Sequence, residues 1–187
     1  MKKYELTQNS IEIDNRTLYQ IKALKDFSLI KKGDLGGYIE YEKNLSHDGN
    51  CWISGNAHVY ENALVSGNTW VYGNARVFRN ARVFGNALIY ENAQIYENAH
   101  VYGYAWVFGN ARVSGNASVS GNVQVFENAH VYGDARLGNV PVNFDCDFDP
   151  YKTLKEILNC PEILPVLSGL NENLDKLINT ILIKTGT

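Results

Sequence analysis

Residues 55–138 read GNAHVY (55–60), ENALVS (61–66), GNTWVY (67–72), GNARVF (73–78), RNARVF (79–84), GNALIY (85–90), ENAQIY (91–96), ENAHVY (97–102), GYAWVF (103–108), GNARVS (109–114), GNASVS (115–120), GNVQVF (121–126), ENAHVY (127–132) and GDARLG (133–138). An aliphatic residue returns at every sixth position from Ile53 through Val59 and Val65 to Val131 and Leu137, without insertion or deletion. So regular a run marks a repeat array. Two positions before each aliphatic stands a small residue, nearly always alanine, with Val123 the one enlargement. Between successive aliphatics comes Gly-Asn or Glu-Asn, a pair suited to a tight corner because glycine and asparagine reach positive φ at little cost. Each unit therefore predicts a short β-branched strand followed by a corner. Alternation along the strand sends the aliphatic and the alanine inward and the residues flanking the aliphatic outward.

Three units make one triangular turn, and stacking turns at the sheet spacing of roughly 4.8 Å produces a parallel β-helix. The array supplies about five turns, a prism on the order of 24 Å tall. In its Val-Tyr-Gly-Asn-Ala-Arg phase (71–76) the chain resembles the hexapeptide pattern of left-handed β-helices, in which an aliphatic is followed four positions later by a small residue. The left hand is what that resemblance implies; parallel crossovers are otherwise right-handed.

The segments on either side differ in character. In residues 1–43, Tyr4-Glu5-Leu6, Ile11-Glu12-Ile13 and Leu18-Tyr19-Gln20-Ile21 alternate apolar and polar, and the clusters Gln8-Asn9-Ser10 and Asp14-Asn15-Arg16 between them are turn chemistry. A small antiparallel meander is expected, capping the open end of the β-helix that occupies 44–140. Ile21-Lys22-Ala23-Leu24-Lys25-Asp26-Phe27 and Lys31 to Glu40 resemble the leader segment of hexapeptide-repeat proteins of phages and prophages, a family whose biochemical role is largely unassigned. Gly33, Gly36 and Gly37 do not form a phosphate loop, because Tyr38-Ile39-Glu40 stands where a lysine, a hydroxyl and a helix start would be needed; they read as glycines turning the chain from cap into first rung. Residues 141–187 are expected to form a linker, Asp145 to Pro150, and a C-terminal α-helical tail. There Ile163, Leu167, Leu170, Leu174, Leu177 and Ile181 recur at spacings of four and three, the seam of a short coiled coil that either assembles chains or docks on the prism.

Composition narrows the function. The net charge is −3 and lies wholly in the tail, since residues 1–49 and 50–137 are each balanced in basic and acidic side chains. Without a basic stripe, nucleic acid is not an expected partner. No apolar run approaches membrane-spanning length and no leader follows Met1, so no membrane role and a location in the cytoplasm of the bacterial host are expected. Cys51, Cys146 and Cys160 are too few and too scattered for a disulfide framework or a zinc site, and Cys51 fills an alanine slot as a small buried residue. Asp145, Asp147 and Asp149 lack the glycine and distal glutamate of a calcium loop, so no metal and no cofactor is expected.

Two functional readings compete. Many left-handed hexapeptide proteins transfer acyl groups from coenzyme A, with a histidine as general base between neighbouring prisms, which makes His100 and His130 the candidates here. His58 and His130 fall on one face four turns apart and His100 on another, and no loop leaves the array to enclose a substrate. His47, outside the array, reads as a partly buried structural histidine. Folding the outward slots by three units separates three faces, of which one has no charge in either slot. It carries Trp52, Trp70, Leu88 and Trp106 before the aliphatic, and Tyr72, Tyr90, Phe108 and Phe126 after it. So large an apolar surface is normally covered, and Trp and Tyr are favoured interface anchors. The expectation is a non-catalytic, oligomeric binding scaffold, a dimer or trimer whose further partner is a host protein, such as an antiviral factor it inhibits; acyl transfer is the alternative. Ice binding would need a threonine ladder, and Thr69 is the array's sole threonine.

Overall fold

The computed structural model describes residues 2–138. The protein is mainly β, a β-solenoid of about six turns. Three longer strands open the chain, β1 (Tyr4–Ile13), β2 (Arg16–Ala23) and β3 (Leu35–Ile39). A single 3₁₀ turn, Glu42–Asn44, follows. Each six-residue unit then contributes one two-residue strand, from β4 (Trp52–Ile53), β5 (His58–Val59) and β6 (Leu64–Val65) to β16 (Gln124–Val125), β17 (His130–Val131) and β18 (Arg136–Leu137). Every third strand stacks in parallel, so Leu88 pairs with Trp106 and Ile89 with Val107, and three sheets result.

The interior follows the repeat. The inward aliphatics from Ile53 to Val119 and the alanines from Ala57 to Ala117 are buried. Thr69 occupies an alanine slot with its hydroxyl donating to the Ser66 carbonyl at 2.9 Å, which satisfies the one polar group placed there. Cys51 lies fully buried in the same column, as its position in the repeat predicts.

The corners follow the sequence as well. Positive φ is adopted at Gly67 (74°) and, without glycine's freedom, at Glu91 (58°) and Glu97 (61°). Each glutamate offsets part of that cost with its own side chain: Glu91 Oε2 accepts from Gly109 N–H at 2.8 Å, and Glu97 Oε2 accepts from Gly115 N–H one turn below. Beside them the asparagines form ladders. Asn56, Asn74, Asn92, Asn110 and Asn128 are linked amide to amide along one corner, and Asn62, Asn80, Asn98 and Asn116 along another, where the Asn116 amide ends the ladder by donating to the Asp134 carboxylate.

Two features depart from the expected fold. Five turns were expected, but β3 pairs in parallel with β5 (Tyr38 with His58, Ile39 with Val59), and Leu45 bridges to Val65, so the segment read as cap also supplies a rung. Gly36 and Gly37 permit this, because a Cβ at either would stand 2.6 Å from the carbonyl oxygen of Ile53 or Ala57. The second departure is at Gln8-Asn9-Ser10, which is no turn. β1 runs through it with only a register shift between Leu6 and Ser10. Because β1 is an edge strand with that stretch largely in water, polar side chains there carry no burial cost. The true hairpin turn is Asp14-Asn15, with φ of 50° and 60° as a tight two-residue connection requires. The expected tail helices, including the Ile163 to Ile181 seam, lie outside the described residues.

Candidate functional site

The uncharged face is the sheet of β4, β7 (Trp70–Val71), β10 (Leu88–Ile89), β13 (Trp106–Val107) and β16. The slot after the aliphatic builds a ring stack: Tyr72 on Tyr90 at 5.0 Å, Tyr90 on Phe108 at 4.8 Å and Phe108 on Phe126 at 5.5 Å between centroids. In-register parallel strands force this arrangement, since residues one turn apart lie at the sheet spacing. Exposure rises along the prism: Trp70, Tyr72, Leu88, Tyr90 and Phe108 are half-buried, whereas Trp106 is 40% and Phe126 46% exposed.

Trp52 leaves this face. It is 1% exposed, with the ring of Phe27 edge-on at 5.4 Å and that of Tyr4 at 6.4 Å. The connection between β2 and β3 folds over the first rung, so Trp52 belongs to the core and cannot touch a partner. From the same connection Leu29 projects, 81% exposed, over a notch lined by Ser54, Trp70, Tyr72 and Leu88.

Aromatic stacking is not confined to this face. Tyr60, Phe78 and Tyr96 stack on the second, and Phe84 and Tyr102 on the third. What separates the first face is its lack of charge, for Arg76 and Arg112 stand on the second and Arg82 and Arg136 on the third.

The histidines are dispersed. His58 is half-buried with Nδ1 unpartnered among the described residues, and burial, then the Arg76 charge, lowers its pKa to about 4. It is therefore neutral near pH 7 and edge-on to Tyr38. His130 is exposed, its Nε2 3.3 Å from Ser114 Oγ. His100 lies on the third sheet. Among the described residues no carboxylate is hydrogen-bonded to His100 or His130, and the Ser114 hydroxyl is the partner of the His130 ring. His47 stacks on Tyr4 at 4.4 Å and bonds Glu42 Oε1 at 2.8 Å, a structural role.

One feature had no sequence signal. Lys3 is fully buried, with Nζ 2.9 Å from the Cys51 carbonyl oxygen, 3.4 Å from that of Gly49 and 3.2 Å from Cys51 Sγ. The Tyr4 hydroxyl donates to the carbonyls of Glu42 and Leu45, each at 2.7 Å. These two side chains seal upward-facing carbonyls at the top of the prism. Burial lowers the Lys3 pKa and raises that of the Cys51 thiol. A second feature was legible but missed. Position 104 interrupts the third asparagine column, which runs Asn50, Asn68, Asn86 and then Tyr104, 62% exposed beside Trp106.

Among the described residues no cluster of three or more His, Cys, Asp or Glu side chains could hold a metal, and no helix is long and apolar enough to cross a membrane. Compared with known families, residues 93–109, 105–121 and 111–127 match the YdcK beta solenoid repeat. Together with the stacked parallel strands, this makes the chain a β-solenoid repeat protein. No curated protein matches it.

Proposed function

We propose that this β-solenoid is a non-catalytic scaffold that binds protein through the uncharged aromatic face. The observation that carries the reading is that face itself: Trp70, Leu88, Trp106 and the Tyr72 to Phe126 ring stack, with no charge in any outward slot, on strands held rigidly by in-register pairing. Indole and phenol side chains on a rigid support make good anchors because they bury large areas while ordering few torsions. The resemblance of Ile21 to Phe27 and Lys31 to Glu40 to a phage leader segment supports a phage or prophage setting, action in the bacterial cytoplasm and a host protein, such as an antiviral factor, as target, while the resemblance of the Val71 to Arg76 phase to the hexapeptide pattern supports a left-handed coil. Self-association into a dimer or trimer belongs to the same reading.

Acyl transfer from coenzyme A is the reading to be tested against it. Calorimetric titration of the full chain with coenzyme A is expected to give no saturable heat. Saturable binding lost in His100→Ala or His130→Ala would replace the scaffold reading with the enzymatic one. In parallel, Trp70→Ala with Trp106→Ala is expected to keep the circular dichroism spectrum and abolish association; unchanged association would remove this face as the binding surface.

A further inference from the structure

We infer that the occupant of the uncharged face is a second copy of this chain, packed face to face in antiparallel orientation about a two-fold axis parallel to β10 and midway between the two sheets. This deepens the scaffold reading and rests on it. Three observations select the arrangement.

The first is charge. A two-fold brings a face against itself, so any column of like charges opposes its own image. On the second face such an axis through the middle rung would set Arg76 against Arg112 of the second copy, which like-charge repulsion disfavours. The outward slots of the first face hold no such column, and the one charge that meets its image there is Glu91 at the bordering corner of the middle rung, whose carboxylate turns along the stack to accept from Gly109 N–H.

The second is the order of side chains along the face. An axis parallel to β10 inverts the order of rungs and keeps each column opposite itself. Trp70 then meets Trp106 of the second copy, Tyr72 meets Phe108, and Leu88 meets Leu88. Large apolar groups oppose one another at each of these levels, as two sheets packed about 10 Å apart require.

The third is the overhanging connection. Leu29, 81% exposed, stands over Ser54 and Tyr72 at one end of the face, and Phe126, 46% exposed, lies in the same column at the other end. Antiparallel packing seats each Leu29 on Phe126 of the other copy and covers two apolar groups that a single chain leaves open at opposite ends of one column. Parallel packing would bring both overhanging connections to one level and hold the sheets apart.

The test uses the full chain with Cys146→Ser and Cys160→Ser, leaving Cys51 in the core. Light scattering is expected to give twice the 21.0 kDa of one chain. Leu29→Asp and Trp106→Asp are each expected to weaken association about tenfold or more, with the circular dichroism spectrum and melting curve retained. Leu29→Cys chains mixed with Phe126→Cys chains are expected to form a disulfide-linked pair on mild oxidation, whereas Leu29→Cys alone does not. A monomer, a Leu29→Cys chain that links to itself, or a dimer indifferent to both aspartates would overturn the proposal. A monomer would remove self-association and leave the binding of a foreign protein standing, since that part of the scaffold reading falls to coenzyme A binding instead.

Discussion

Lys3 Nζ, wholly out of water, donates to the carbonyl oxygen of Cys51 at 2.9 Å, tying the first strand of the chain to the first corner of the prism. A stacked β-helix ends in backbone groups with no next turn to pair them. The ends of α-helices pose the same problem, and at C-termini basic side chains often meet the last carbonyls. Here Lys3 and Tyr4 share the task with buried Asn44, whose amide donates to the carbonyls of Glu61 and Ala63.

Lys3→Met keeps the apolar stem and removes the donor, so the Cys51 carbonyl loses it while still buried. An unpaired buried polar group costs about 1–3 kcal/mol. Urea unfolding is expected to show a loss in that range, and amide exchange is expected to quicken first in β1 rather than in the middle rungs.

The glycine corners separate two costs. Gly133 has φ of 66° with open space around it, whereas a Cβ on Gly67 would stand 2.8 Å from the oxygen and 2.9 Å from the nitrogen of Gly85. Gly133→Ala is expected to cost only the left-handed backbone term, about 1 kcal/mol. Gly67→Ala adds a clash with backbone that cannot yield, about 2 kcal/mol more. Equal melting shifts for the two variants would show that the rungs can spread.

His58 makes stability pH-dependent. Folded, its pKa is held at about 4; unfolded, it returns toward 6.5. Between those values the unfolded chain binds the extra proton. The neutral imidazole therefore adds no penalty above about pH 6.5, and stability is lost as pH falls toward about 4. His58→Gln is expected to flatten the dependence of the melting midpoint over that window; an unchanged slope would mean that His58 opens to water on protonation.

Tyr104 is a place where the repeat gives up a ladder position. Tyr104→Asn would extend the ladder from Asn86 by one amide and is expected to raise stability by about 0.5–1.5 kcal/mol, one net hydrogen bond. A lower melting temperature would show that the tyrosine itself packs usefully on its neighbours.

The repeat determined by itself the inward and outward assignment along the middle rungs, the three faces, the corners and the lack of charge on the Trp face. It could do so because each unit contacts only its neighbours in the stack, so a local pattern repeated in register leaves little for distant contacts to decide. Tertiary structure decided what happens where the repetition stops. Trp52 obeys the same outward rule as Trp70, yet it is buried, because a connection from outside the array lies across it. Leu35–Ile39 shows no six-residue phase and still forms a rung, because two glycines let its backbone approach the first turn. Lys3 is a surface residue by type and a core residue in fact, since only the folded end of a prism creates the carbonyls it serves. These are non-local contacts between aperiodic segments, and no spacing in the sequence encodes them.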